Sequence, residues 1–65
     1  MDIAANIRRH REALGISQET AARRVDVALM TWHKWETGGI DIPTSRLPQI
    51  AEALGTTPAA LVEDE

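Results

Sequence analysis

The sequence predicts a small all-α domain of five short helices, and three observations support this fold class. Apolar residues recur at helical spacing, glycines and capping residues interrupt them at short intervals, and no stretch alternates apolar and polar residues as a strand would. The chain has 65 residues and no low-complexity linker. We therefore expect one domain over residues 1–65, with a small core and an acidic tail at residues 63–65.

The first helix is predicted from an apolar stripe and from the residues at its two ends. Ile3, Ile7 and Leu14 fall on one helical face, which indicates a helix over about residues 3–14 with these three side chains inward. Asp2 can cap its start, because a short acidic side chain accepts from the free N–H groups of the first turn. Gly15 stands where a left-handed residue commonly ends a helix.

The second helix is predicted to begin after Ser17, a favourable N-cap residue, and to run to about Val25. Its inward stripe is Ala21, Ala22 and Val25. Only three residues separate it from the next helix, so the two helices must cross steeply. Asp26 lies in this turn and is one of the few residue types other than glycine that tolerate the left-handed conformation.

The third helix is predicted over about residues 28–37 and ends at the glycine pair that follows. With a rotation of ~100° per residue, Ala28, Trp32 and Trp35 form one buried stripe, and Glu36 lies at its edge. The side chains expected on the outward face are Met30, His33, Lys34 and Thr37, with Leu29 beside it near the helix start.

The last two helices are predicted mainly from their capping residues. Thr44 or Ser45 is expected to cap the fourth helix, which runs to about Leu54. It carries Pro48 in its first turn, where a missing N–H has no intrahelical partner to lose. Thr57–Pro58 is a capping residue followed by proline and predicts a short fifth helix. The residues of that helix that pack back on the domain are Leu61 and Val62.

The composition excludes several function classes. The chain has no cysteine, so disulfides and thiolate metal sites are absent. The spacing of the two histidines, His10 and His33, suits no zinc site. We expect no metal, no other cofactor, no small-molecule ligand and no catalytic activity, because no nucleophile–base pair is recognisable. There is no long apolar run or signal peptide, which favours a cytoplasmic protein without membrane contact.

Charge is distributed unevenly along the chain. The net charge is −3, which argues against a nucleic-acid partner. However, residues 1–46 hold all seven basic residues and six acids, and residues 47–65 hold four acids and no base. The first segment thus carries +1 and the second −4, a pattern typical of a one-sided electrostatic surface.

Three collinear segments resemble one family of DNA-binding domains. The segments are LGISQETAARRV, WETG and IAEALG. In this order and spacing they resemble the lambdoid phage repressor and Cro (XRE-type) family, over about residues 3–62. The resemblance implies a lambda repressor-like five-helix fold in which helices 2 and 3 form a helix-turn-helix and helix 3 enters the major groove.

The resemblance also implies roles for individual residues. Gln18 matches a phosphate-contacting position, and Arg46 and Gly39 lie in a loop that contacts the DNA backbone. Leu29, Met30, His33 and Lys34 match the base-reading positions. By their own chemistry Leu29 and Met30 could contact thymine methyl groups, and Lys34 is the cation of the outward face. Arg11 and Glu36 match a pair that forms a salt bridge between helices 1 and 3. The DNA-binding positions implied are Gln18, Leu29, Met30, His33, Lys34, Thr37, Gly39 and Arg46.

The sequence departs from the family pattern at four positions. Asp26 replaces the usual glycine of the turn, and Ala28 replaces a polar capping residue. Trp32 stands where Ile or Val is usual, and Ala21 stands where Leu is usual. We interpret the last two changes as compensating, because core volume must be approximately conserved.

These features favour a sequence-specific transcriptional regulator, in particular a phage or prophage repressor that blocks a promoter. Its expected partner is a palindromic double-stranded DNA operator, bound as a weak homodimer or as a dimer formed on DNA, with the pairing surface in helices 4 and 5. The alternative is a protein-binding module that keeps the fold without DNA binding. Leu29, Met30, the missing cap at Ala28 and the negative net charge favour that alternative.

Overall fold

The computed structural model describes residues 2–63 and is all-helical over that range. Its helices are α1 (Ile3–Leu14), α2 (Gln18–Arg24), α3 (Leu29–Thr37), α4 (Leu47–Ala53) and α5 (Pro58–Val62), and a 3₁₀ turn over Thr44–Arg46 precedes α4. The predicted all-α class with five helices is confirmed. Glu63 follows α5, and the rest of the expected acidic tail, Asp64 and Glu65, lies outside the described residues.

Several predicted helix ends are present in the structure. The carboxylate of Asp2 accepts a hydrogen bond from the amide of Ala5 at 3.1 Å, and the hydroxyl of Ser17 accepts from the amide of Thr20 at 3.0 Å. Thr57 caps α5 in the same way. The turn between α2 and α3 contains Asp26 with a φ of 57°, so the left-handed residue lies where the sequence placed it.

The start of the fourth helix differs from the prediction, because neither Thr44 nor Ser45 caps it. These residues lie inside the 3₁₀ turn, which is closed by a bond from the amide of Arg46 to the carbonyl of Pro43 at 2.9 Å. The 3₁₀ turn therefore continues directly into α4, and no side chain caps the start of that helix. Pro48 lies in the first turn of α4, as predicted, and leaves one fewer amide there to satisfy.

The core lies where the helices converge. The largest fully buried side chains are Trp32, Ile7, Ile50 and Leu61. The predicted stripe of α2 is also buried, with Ala21, Ala22 and Val25 at most 3% exposed. No helix among residues 2–63 is both long and apolar enough to cross a bilayer.

Two side chains predicted to face inward are exposed. Leu14 is 45% exposed, in the last turn of α1. Ala28 is exposed because it is the N-cap residue of α3 and has an extended backbone, with φ −66° and ψ 149°. The rotation of ~100° per residue applies only inside a helix, so it does not predict where the side chain of Ala28 points.

The first turn of α3 has no side-chain cap, which predicts that Ala28→Ser stabilises the domain. Ala28 has nearly the same backbone conformation as Ser17, whose hydroxyl caps α2. The new hydroxyl should accept from an amide of the first turn and raise the free energy of unfolding by about 1 kcal/mol. Urea denaturation measures the change, and an unchanged or lower midpoint would contradict the prediction.

Candidate nucleic-acid interface

Five side chains of α3 form an outward face on the side of the helix opposite its tryptophans. All five are exposed, including Leu29, which the sequence placed beside this face, and Leu29 and Met30 are 47% and 61% exposed. Their four-residue spacing places them in two adjacent rows along the helix. One row is Leu29, His33 and Thr37, and the other is Met30 and Lys34. We call these five residues the outward face of α3.

Lys34 is the cation of this face, and its ammonium group has no hydrogen bond or ion pair within residues 2–63. Several arginines elsewhere are paired with acids. Arg8 lies 3.4 Å from Glu12, and Arg23 lies 3.0 Å from Glu19. The ammonium group of Lys34 is thus available to an anionic partner.

The end of α3 uses its polar groups internally. The hydroxyl of Thr37 donates to the carbonyl of His33, with an oxygen–oxygen distance of 3.0 Å. The amides of Gly38 and Gly39 both donate to the carbonyl of Lys34, the latter at 2.8 Å. Gly38 has a φ of 77°, which favours glycine at this helix end. A phosphate contact by the Gly39 amide would have to replace the bond to Lys34.

Gln18 and Arg46 are half-buried and lie in internal hydrogen bonds. The side-chain amide of Gln18 donates to Oε1 of Glu36 at 3.0 Å. The guanidinium group of Arg46 donates to the carbonyl of Val25 at 3.2 Å and to the side chain of Gln49 at 3.1 Å. Arg46 therefore joins the start of α4 to the end of α2. Of the predicted DNA-binding residues, the five on α3 therefore lie together on one exposed surface. Gln18 and Arg46 instead form hydrogen bonds within the domain.

Glu36 is the polar centre beneath the outward face, and its side chain is 1% exposed. Arg11 of α1 binds it with two bonds, Nε to Oε2 at 2.5 Å and Nη2 to Oε1 at 3.1 Å. Gln18 of α2 adds a third bond, and the indole N–H of Trp32 donates a fourth, to Oε2. Arg11 also donates to the carbonyl of Ile16 at 2.8 Å. One carboxylate thus joins three helices.

These contacts determine the charge state of the Glu36 carboxylate. Burial by itself would raise its pKa, because the charged form loses hydration. The hydrogen bonds from Arg11, Gln18 and Trp32 act in the opposite direction, and the net pKa of Glu36 lies below its ordinary value. The bond to Glu36 also raises the pKa of Arg11. Glu36 is consequently a permanent anion at neutral pH.

The family resemblance implied the Arg11–Glu36 pair but not the other two donors, Gln18 and Trp32. Trp32 and Glu36 are four residues apart, and this spacing places neighbouring side chains on one helix surface. That signal was available in the sequence. No comparable signal exists for Gln18, because its approach to Glu36 depends on how α2 packs on α3.

Two comparisons with known proteins give a match. A family model of helix-turn-helix domains matches residues 2–64. A protein of Rhodospirillum rubrum named "Uncharacterized transcriptional regulator in ATPase CF(0) region" is 42% identical over 52 residues, which are 80% of this chain and 48% of that protein. The chain thus spans about half the length of this relative. No solved structure matches the chain.

The lowered pKa of Glu36 predicts that this residue stabilises the fold above the unfolded-state pKa of about 4.3. Its contribution should disappear as the pH falls through the lower pKa of the folded state. Glu36→Gln should remove this part of the pH dependence and cost about 3 kcal/mol at pH 7, because Arg11 then lacks a buried counter-charge. Urea denaturation between pH 7 and pH 2 measures both effects.

The control for Glu36 is Glu12→Gln, since the Glu12 side chain is 55% exposed and pairs with Arg8 on the surface of α1. This variant should lose less than about 1 kcal/mol. Equal losses in the two variants would show that the buried network has no special role.

The proposed compensation between Trp32 and Ala21 predicts a further pattern of stability. Both residues are fully buried, on the packed helices α3 and α2. Trp32→Ile should cost about 3 kcal/mol, because it leaves a cavity and removes a donor from Glu36. Adding Ala21→Leu should recover part of this loss. A cost below ~1 kcal/mol for Trp32→Ile, or no recovery, would contradict the compensation.

Proposed function

Because the chain belongs to the family of helix-turn-helix domains, we propose that it binds double-stranded DNA sequence-specifically and regulates transcription. The observation that carries this proposal is the outward face of α3, with five exposed side chains and a lysine whose ammonium group has no partner among residues 2–63. The Rhodospirillum rubrum relative, named a transcriptional regulator, supports the same role.

In the proposed complex, α3 lies in the major groove with its first turn at the base edges. Leu29 and Met30 then face the bases, and His33 and Lys34 follow one turn later. The outward face spans about 12 Å from Leu29 to Thr37, the length of three to four base-pair steps. The helix α2 crosses the DNA backbone above α3, with the N–H groups at its start toward a phosphate.

The small positive charge of the outward face favours DNA binding by two copies of the domain together. The outward face has one lysine, so a single domain neutralises few phosphates and we expect a modest salt dependence. We propose that two copies pair through α4 and α5, mainly on DNA, and occupy a palindrome with half-sites about 10 bp apart. Such a Cro-like or repressor-like protein acts in the cytoplasm by covering a promoter.

A second candidate function is protein binding by the same face. Leu29 and Met30 are adjacent, apolar and about half exposed, which also suits a protein contact. Salt separates the two functions, because phosphate contacts weaken steeply with ionic strength and apolar contacts do not.

The DNA-binding proposal is tested by selection from a randomised duplex pool, followed by affinity measurements at several salt concentrations. We expect an enriched palindrome whose binding weakens with salt. Lys34→Ala should weaken binding and reduce the salt slope by about 1 if Lys34 contacts a phosphate. The matched control is Arg8→Ala, which removes one charge from α1 and should leave the affinity nearly unchanged.

Two outcomes would contradict the proposal. The first is no enriched sequence and no duplex binding even at low salt, which would favour the protein-binding alternative. The second is equal loss of affinity in Lys34→Ala and Arg8→Ala. That result would assign binding to net charge and not to the outward face of α3.

A further inference from the structure

We propose that α3 reads its target mainly through the 5-methyl groups of thymine, an inference that rests on the proposed function and specifies its substrate. The major-groove edge of a base pair offers hydrogen-bonding atoms and, at T·A pairs, one methyl group. Which of these a helix can read depends on the groups that it exposes. On α3 these groups are largely apolar.

The first turn of α3 exposes two large apolar side chains next to each other. Four large hydrophobic residues are exposed within residues 2–63, and two of them are Leu29 and Met30. Neither carries an N–H or O–H group, so neither can donate a hydrogen bond to a base edge. The Met30 sulfur is only a weak acceptor, so the contact that best suits both side chains in the major groove is with a thymine methyl group.

The last turn of the face adds a third apolar group. Thr37 has one hydroxyl proton, and the hydroxyl donates to the carbonyl of His33 at 3.0 Å, with that of Lys34 at 3.4 Å. It therefore has no free donor for a base, and its methyl group is the apolar contact it can offer. Hydrogen-bond donation from the face is left to His33 and Lys34.

The pattern of these groups defines a target. Apolar contacts lie at both ends of a face about 12 Å long, with the two polar residues between them. A half-site suited to this face has thymines toward both ends and polar base edges between them. Removal of a contacted methyl group should weaken binding about fourfold, since burial of one such group contributes ~0.8 kcal/mol and ~1.4 kcal/mol is tenfold.

The test replaces each thymine of the selected operator by deoxyuridine, which lacks only the 5-methyl group. We expect about a fourfold loss of affinity at one or more positions of each half-site. In Leu29→Ala and Met30→Ala, the loss at the contacted thymine should disappear. At the position near Thr37, the loss should persist in Thr37→Val, which keeps the methyl group, and disappear in Thr37→Ser.

The control for these variants is Leu14→Ala. Leu14 is 45% exposed on α1, outside the outward face, so its removal should leave every deoxyuridine effect unchanged. Circular dichroism establishes that each variant is folded, and all replaced side chains are exposed.

The possible outcomes separate the inference from the function on which it rests. Salt-dependent binding that tolerates deoxyuridine at every position would overturn methyl readout and leave DNA binding intact. Deoxyuridine effects that persist unchanged in Leu29→Ala, Met30→Ala and Thr37→Ser would overturn it too. Absence of binding to any duplex would overturn the proposed function and this inference with it.

Discussion

The buried carboxylate of Glu36 is the constraint on which the arrangement of the first three helices depends. It accepts two bonds from Arg11 of α1, one from Gln18 of α2 and one from Trp32 of its own helix. A buried carboxylate is costly unless its lone pairs are satisfied, and here each oxygen has two donors. Any rotation of α3 about its axis would break several of these bonds together. The orientation of α3 is therefore narrowly defined.

This constraint determines which residues of α3 face outward. Glu36 and both tryptophans lie inside, and the two tryptophan rings meet edge to face with centroids 5.8 Å apart. The opposite side of the helix must then carry Met30 and Lys34. Gln18 connects the same carboxylate to the start of α2, so the two helices of the helix-turn-helix share one polar centre. In a small domain with limited apolar burial, such a centre adds specificity to the packing.

Much of the fold could be predicted from the sequence, because helix ends depend on local chemistry. The bounds of α1, the caps at Ser17 and Thr57 and the left-handed Asp26 each follow from two or three neighbouring residues. The predicted cap of α4 was wrong, because capping preference alone does not determine the backbone path before a helix. Thr44 and Ser45 are good capping residues, yet a 3₁₀ turn places them inside the helical path.

In the candidate site, too, local features could be predicted from the sequence and contacts between distant residues could not. Helical periodicity correctly predicted the exposure of Met30, His33, Lys34 and Thr37, because the tryptophans identify the buried side, and Leu29, placed on the flank, is exposed as well. It could not predict that Gln18 and Arg46 have internal partners, since Glu36 and Val25 reach them only through the folded chain. A residue's position in a motif thus indicated where it lies but not which hydrogen bonds it makes.

We propose that the helix orientation determined by Glu36 presents the outward face of α3 to DNA. The most direct test of this proposal is an NMR cross-saturation experiment, in which a selected duplex is irradiated and the loss of signal is recorded at each protein amide. We expect the strongest losses at residues 29–37 and at the start of α2. Losses centred on α4, α5 or the outer surface of α1 would contradict it.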